Sequence, residues 1–421
     1  MQNDLTESVQ ASIRPGAMVD TYYQGDSNTS KQAYPSVVNT RFVQNFTNLG
    51  QGSSQFVISP QGGVSDIVMQ FVTPASTGTN YVNAALNQGW GYALINRLSV
   101  RYGSSAQYFW SGPQMYLQNL YDCENTTKCN DLTQLGGQAL AAAACGGASA
   151  YVYLKLPHNS VRASGKPLPF PSDLLVQPIV ITVELLSLQS IIINQAGTGP
   201  ILVAPTALAA AQLQVKQEML TDSSDQLARR VDMNTNAYTN ALTYFAQQEV
   251  QVQVTSGAGS LTQSVNLTGF RAGEVKSILL WLTPAATSTS GSGNFQPLAW
   301  SLLNNVTLTY NGEIFSRFDS GSAQLWNLLG DEKSPYVSMT TQNYGTTGVV
   351  TAPSYWTECP FAQVNVPYDR ESKLFHGKPI LNAVVNLQFD VPALSTSYIL
   401  HAMYLYNASL LCSRGSAEYI F

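Results

Sequence analysis

A stretch that occurs twice constrains the fold of this chain more than any other feature. The first copy runs from Leu94 to Asp122 and the second from Leu302 to Asp331. Each opens with an alternating strand, Asn96 to Tyr102 (NRLSVRY) in one and Asn304 to Tyr310 (NNVTLTY) in the other. A glycine-containing turn follows, then a short aromatic segment, a Ser-Gly pair (Ser111-Gly112, Ser320-Gly321) and a helix-like run closing on Asp122 or Asp331. The offset is 208 residues, rising to 209 after the turn. That is close to half of 421, so the simplest reading is one domain followed by a second copy of it. A chain of this length also exceeds the size at which a single core stops growing.

Strand signals recur on both sides of the repeat. In the first half they fall at 38–47, 54–59 and 66–72, bounded by Gly or Pro, and at 94–102, 151–156, 176–186 and 211–220. The second half opens with 249–255 (EVQVQVT), a period-two strand, followed by 264–270, 275–282, 299–310, 361–366, 380–391 and 397–410. Residues 73–91 and 189–208 read as loops, and Ala139–Ala144 in the insertion 122–150 as a helix. Thr221-Asp-Ser-Ser-Asp225 offers helix N-cap chemistry for a short connecting helix. The repeat extends further: Leu156-Pro157 matches Val366-Pro367, and the segment Gln177–Val183 resembles Lys378–Val384. About eight antiparallel strands per half, with long loops and little helix, fit two tandem eight-stranded jelly rolls in an all-β chain. Two generic Greek-key sandwiches are the alternative. The division expected is an N-terminal arm over 1–36, jelly roll 1 over 37–221, a short helical linker over 222–238 and jelly roll 2 over 239–421.

Composition narrows the partners. Charged residues are 11%, against roughly 25% in an average globular protein, and Ser, Thr, Asn, Gln and Gly make up the shortfall. Such a surface suits extensive contact with neighbours, because few charges must be desolvated. The net charge is −5 and the only adjacent basic pair is Arg229-Arg230, so no groove for counterion release from nucleic acid is visible. Five cysteines (Cys123, Cys129, Cys145, Cys359, Cys412) without a CxxC read as mostly free thiols of a reducing compartment, with a Cys123–Cys129 pair as the alternative. Sequons at Asn28, Asn45, Asn125, Asn266, Asn305 and Asn407 are explained by a composition rich in Asn, Ser and Thr. The N-terminus lacks a basic-then-apolar signal pattern, and the most apolar stretch, 174–193, contains Pro178 and Glu184 and makes a poor membrane span.

Chemistry is sparsely represented. The three histidines, His158, His376 and His401, have no second His or Cys at metal-ligand spacing, so no metal site is expected. No G-x-S-x-G elbow, P-loop or dinucleotide fingerprint occurs, and no cofactor is expected. Asp331-Glu332 beside Lys333, and Asp369 with Glu371 around Arg370, read as charged loops rather than catalytic pairs. Asp122 and Asp331 read as duplicated turn or helix-end residues. The aromatics Tyr108, Phe109, Trp110, Phe315 and Phe318 flank the repeated turn and read as core and subunit contacts, with sugar stacking as the alternative.

These segments, in order, resemble the double jelly-roll major capsid proteins of icosahedral DNA viruses, above all those of large algal viruses and iridoviruses, with virophages and tectiviruses more distant. Ser65–Val72 resembles an early family strand, and Leu94–Leu120 its strand, turn and aromatic helix. Tyr151–Pro157, Pro167–Pro171 and Val176–Leu186 resemble its strand, Pro-rich loop and strand. Gln212–Arg230 resembles the last strand and linker, and Tyr404 to Gly415 the closing Tyr-Asn strand and tail. The resemblance implies a structural protein with no catalytic residues, forming homotrimeric, pseudo-hexagonal capsomers that tile an icosahedral shell. It implies partners in neighbouring capsomers, minor capsid or penton proteins and an internal membrane, and a place in the virion, assembled in host cytoplasm or nucleus. Residues 1–35 are expected to face inward, and the insertions 122–150 and 330–357, with 188–208, to form an outward tower. A tandem jelly-roll glycan-binding protein and a peptide N-glycosidase-like hydrolase are the alternatives.

Overall fold

The computed structural model describes residues 37–60, 62–77, 81, 84–86, 89–121, 131, 134–138, 140–154, 170, 172, 175–194, 205–220, 238–252, 261–267, 274–284, 304–318, 362–365, 378–379, 384–391, 398–413 and 416–420. In the first half the strands are β1 (Val37–Asn45), β2 (Gly52–Ile58), β3 (Gly63–Val72), β4 (Ala84–Leu86), β5 (Ile95–Tyr102), β6 (Gln107–Trp110), β7 (Leu140–Ala141), β8 (Ser149–Leu154), β9 (Ile179–Leu185), β10 (Ile192–Asn194) and β11 (Ala210–Leu220). Helical segments among the described residues include α1 (Trp90–Ala93), α2 (Gly112–Tyr121) and α3 (Leu188–Ile191).

Two four-stranded sheets carry the first half, in the orders β1-β11-β3-β8 and β2-β9-β5-β6. Both are antiparallel throughout. Period-two alternation explains why they face each other. In β9 every second residue (Ile179, Ile181, Val183, Leu185) is buried, and in β3 Ile67, Met69 and Phe71 are buried opposite them. Phe46 ties the sheets together, with its ring 4.7 Å from Phe56 of β2 and 5.6 Å from Phe71 of β3. Each such side chain contributes roughly 1.5–3 kcal/mol relative to exposure.

The second half has β12 (Tyr238–Val252), β13 (Leu261–Leu267), β14 (Glu274–Pro284), β15 (Asn304–Tyr310), β16 (Glu313–Phe318), β17 (Ala362–Asn365), β18 (Lys378–Pro379), β19 (Val385–Val391), β20 (Tyr398–Ser413) and β21 (Ser416–Ile420). Its sheets run β12-β20-β14-β17 and β13-β19-β15-β16. Replacing β1, β2, β3, β5, β6, β8, β9 and β11 by β12, β13, β14, β15, β16, β17, β19 and β20 converts the first pair of sheets into the second. The chain is therefore all-β, with one eight-stranded jelly-roll order used twice.

The repeated stretch is the β5–β6 and β15–β16 hairpin. Leu98 lies opposite Trp110, and Val306 opposite Phe318. The 208-residue offset thus persists through the aromatic strand and changes only after it. In the second copy Asn311 and Gly312 both have positive φ, 51° and 86°, between the paired Tyr310 and Glu313. That is the Asn-Gly two-residue turn whose twist matches a hairpin. The Ser-Gly pair also has a local cause. The Gln114 amide donates to the Ser111 hydroxyl at 3.2 Å, an N-cap for α2. A Cβ on Gly112 would sit 1.8 Å from the Tyr92 carbonyl oxygen.

Several expectations are corrected. Ala139–Ala144 is not a helix: β7 and a 3-10 turn over Ala142–Cys145 take its place. So short an alanine run has little helical stability of its own, and pairing with β4 wins. The segments read as loops contain β4, α3 and β10, and β10-β4-β7 form a three-stranded sheet. The second half opens at Tyr238 rather than Glu249, at the position where the linker was expected to end. Lys378-Pro379 pairs with β14, so it is not the counterpart of Gln177-Pro178; β19 is the counterpart of β9. The linker helix and the second helix-like run lie outside the described residues, as does the arm 1–36.

Substituting Gly112 by Ala is expected to destabilise the first jelly roll by about 3 kcal/mol through overpacking, and Ser111→Ala by about 1 kcal/mol through loss of the cap. Urea denaturation midpoints check both. If the duplication extends to packing, Gly321→Ala lowers the second half in the same way.

Candidate functional site

The strand ends sort into two poles. In the first half Val37, Leu220, Gly63, Ile58, Ile179 and Tyr102 share one end, here the base, through their pairings. The opposite end, the crown, receives residues 73–94, 111–148 and 186–209. The sheet β10-β4-β7 stitches these three connections together, one strand from each. Parts of the expected 122–150 and 188–208 tower therefore meet at one end. Helix α2 is pinned there too: the Asn119 side-chain amide donates to the Tyr92 hydroxyl and to the Tyr153 carbonyl, both at 2.9 Å.

The bases of the two halves touch. Strand β21 folds back on β20 through the Ser413–Ser416 hairpin. Its Tyr419 backbone N–H donates to the Tyr108 hydroxyl of β6 at 3.0 Å, across 311 residues of sequence. The Tyr419 and Tyr108 rings meet edge to face, 4.4 Å apart at 81°. Tyr102 lies 6.4 Å from Tyr419 and 5.2 Å from Phe170, completing an aromatic seam. Of the flagged aromatics, Tyr108 joins the halves and Trp110 is buried in the first. Phe109 stays partly exposed, with the Arg97 guanidinium 3.8 Å above its ring. Phe315 and Phe318 lie in β16.

The outer sheet faces carry rows of polar side chains bonded to one another, beside exposed apolar residues such as Phe42, Val57 and Ile314. Across β1, β11, β3 and β8, Arg41 donates to Gln214, Gln214 donates to Gln70 at 3.1 Å, and Gln70 donates to Tyr151 at 3.2 Å. Lys216 sits 3.8 Å from Asp66 beside this row, and a shallow groove of about 440 Å³ lined by Arg41, Asp66, Tyr153 and Lys216 opens on it. On β13, β19 and β15 the Thr262 hydroxyl and Asn305 amide donate to Asp390 at 2.6 and 2.8 Å, and hold its carboxyl below the usual carboxylate range. Asn386 donates to Ser264 and Asn266 at 2.9 and 3.0 Å. Such rows form because alternate positions of these strands carry Gln, Asn, Ser and Thr.

The catalytic and metal candidates are not assembled in what is described. His401 is buried in β20. Cys145 is a buried free thiol whose sulfur lies 3.5 Å from the Leu140 carbonyl oxygen, and burial pushes its pKa up to about 11. Cys412 lies in β20. His158, His376, Cys123, Cys129, Cys359, Asp122, Asp331, Glu332, Asp369 and Glu371 lie outside the described residues. Among the described residues no group of three His, Cys, Asp or Glu could hold a metal, and no helix is long and apolar enough to cross a membrane. The sequence reading missed Tyr419 entirely, since nothing local marks its distant partner. The Gln214 row was open to detection, because Gln212, Gln214 and Lys216 alternate with Leu213 and Val215.

Two measurements probe this geometry. With the other four cysteines changed to Ser, Cys145 is expected to resist thiol reagents in the folded state at pH 8 and to react on unfolding. Its raised pKa contributes stability fully present below the ordinary value of 9.0 and lost between there and about 11. A double-mutant cycle on Tyr108→Ala and Tyr419→Ala is expected to show about 1 kcal/mol of coupling in urea denaturation, and additivity would remove the seam from the account.

No family model and no curated protein matches the chain. Solved structures do. VP54 of PBCV-1, fitted into a reconstruction of the virophage Sputnik, is similar with a TM-score of 0.60 and 14% identity, over 93% of this chain and 98% of that one. The Sputnik virophage structure gives 0.52 and 10% identity over 91% and 88%, and the mavirus major capsid protein 0.50 and 10% over 95% and 94%. With its repeated strand order and full-length superposition, the chain has the double jelly-roll fold that these viral capsid proteins share.

Proposed function

We propose that this protein is a major capsid protein, a structural component of an icosahedral virion without enzymatic activity. Three copies form a pseudo-hexagonal capsomer, and capsomers tile the shell against one another and against minor capsid or penton proteins. The observation that carries this reading is the duplication: one jelly-roll order used twice, with the two bases joined through Tyr108 and Tyr419. A threefold cluster of such a chain presents six like barrels, which gives near-sixfold packing from threefold symmetry. The likeness to the mavirus major capsid protein supports it. The division proposed is an arm over 1–36, barrels over 37–221 and 239–421, and a linker over 222–238. In this reading the crown faces outward and the arm inward, because Val37 enters β1 at the base.

Size-exclusion chromatography with light scattering is expected to give a stable species of three 45.5 kDa chains. A monomer overturns the proposal. In assembled particles, limited proteolysis is expected to cut first within 122–138 or 330–357.

A further inference from the structure

One cross-strand row tells the two halves apart at its ends. In the first half it runs Val57–Val180–Arg101–Gln107 across β2, β9, β5 and β6. In the second it runs Asn266–Asn386–Thr309–Ile314 across β13, β19, β15 and β16. The rows stand at the same height, because each lies one residue inside the basal pair, Tyr102–Ile179 or Tyr310–Val385. Their ends are exchanged in chemistry. Val57 and Ile314 are 49% and 62% exposed, whereas Gln107 and Asn266, which hold the corresponding ends, are exposed amides. The apolar end thus lies on the β2 edge in one half and on the β16 edge in the other. Each has apolar company. The Gln44 side-chain amide donates to the Val57 carbonyl at 3.0 Å and brings exposed Phe42 and Val43 alongside. Exposed Val384 exchanges two bonds with Asn311 in the turn before Ile314, at 2.8 and 2.9 Å. Bare apolar side chains on edge strands lack the charges that usually guard an edge, and patches of this kind mark contact surfaces.

We infer that the β2 edge of the first half in one copy packs against the β16 edge of the second half in the next, with Val57 meeting Ile314. This rests on the trimeric reading above and names the contact that builds it. Two observations select a second copy as the occupant of both patches. The first is height. Barrels standing side by side bring the same row level with itself, so the Val57 end meets the Ile314 end without a shift. The second is continuity with the seam. The halves of one chain already meet through unlike surfaces, Tyr108 of β6 in the first and Tyr419 of β21 in the second. The β6 side of the first half is therefore used within the chain, which leaves its β2 side. The β16 edge is the counterpart of the β6 edge, but the chain has no third half to set beside it. A neighbour's first half supplies one. A contact between unlike edges leaves one of each open at the ends of a pair, so it continues until the ring closes, here after three chains. Few charges lose water in the process.

Light scattering of the full-length protein after size-exclusion chromatography tests this, with circular dichroism as the control for folding. Val57→Lys and Ile314→Asp are each expected to reduce the wild-type species of three chains to monomers with an unchanged β-sheet spectrum, since both side chains are exposed. The two substitutions in one chain are expected to restore the trimer, because every contact then joins opposite charges. If either variant loses its spectrum, Val57→Thr and Ile314→Thr, which keep the β-branch, take their place. These are expected to raise the concentration at which the trimer half-dissociates at least tenfold, and an unchanged value overturns the inference. Folded single variants that stay trimeric overturn it and leave the capsid reading standing. So does a combined variant that stays monomeric, the outcome for a contact in which like edges meet. A wild-type monomer overturns both.

Discussion

Everything in this molecule depends on burying alternate residues of two antiparallel sheets against each other. In the first half Ile181 and Val183 of β9, Leu98 and Val100 of β5, and Ile67, Met69 and Phe71 of β3 are brought together by register alone. A slip of one residue would send each set to the outside. Once that register is set, the ends of the strands are set too. The connections must leave from a crown or a base, and the longest excursions cross-tie where β4, β7 and β10 meet. Helix α2 then has one place to dock, under the close approach of Gly112 to Tyr92.

Duplication preserved the topology but not the surroundings. Strand β11 alternates, with Leu213 and Val215 inward and Gln214 and Lys216 outward, whereas its counterpart β20 is buried at seven successive residues, 400–406. A strand covered on both faces has no polar side to display, which is why the β20 sequence loses its period. The exposed faces carry rows of amides and hydroxyls bonded to one another, with the Lys216–Asp66 pair beside one of them. Removing water from such a face costs less than desolvating charges, consistent with a chain of 11% charged residues.

The legible parts of the sequence were those where a local pattern has one physical meaning. Ser111-Gly112 is a cap followed by a glycine that no side chain can replace, and Asn311-Gly312 is a hairpin turn. Alternation marked β5, and strand-rich composition marked β2 and β9. Where a strand is short, as β4, β7 and β10 are, two or three residues carry no periodicity and only their partners define them. Tyr238–Gln248 (YTNALTYFAQQ) does not alternate, and the start of β12 was placed eleven residues late. The apparent likeness of Gln177-Pro178 to Lys378-Pro379 rested on a proline that marks a strand end in one half and a separate pairing with β14 in the other.

From residue order alone came the duplication, the all-β class, the hairpin at the centre of each half and the scarcity of catalytic groups, because repeats, alternation and residue type are local properties. Folding decided the rest: which strands are neighbours, which connections share the crown, that Tyr419 closes on Tyr108, and that β20 is covered on both sides over residues 400–406. Those are contacts between residues far apart in sequence, and no local pattern records the partner that a side chain will meet.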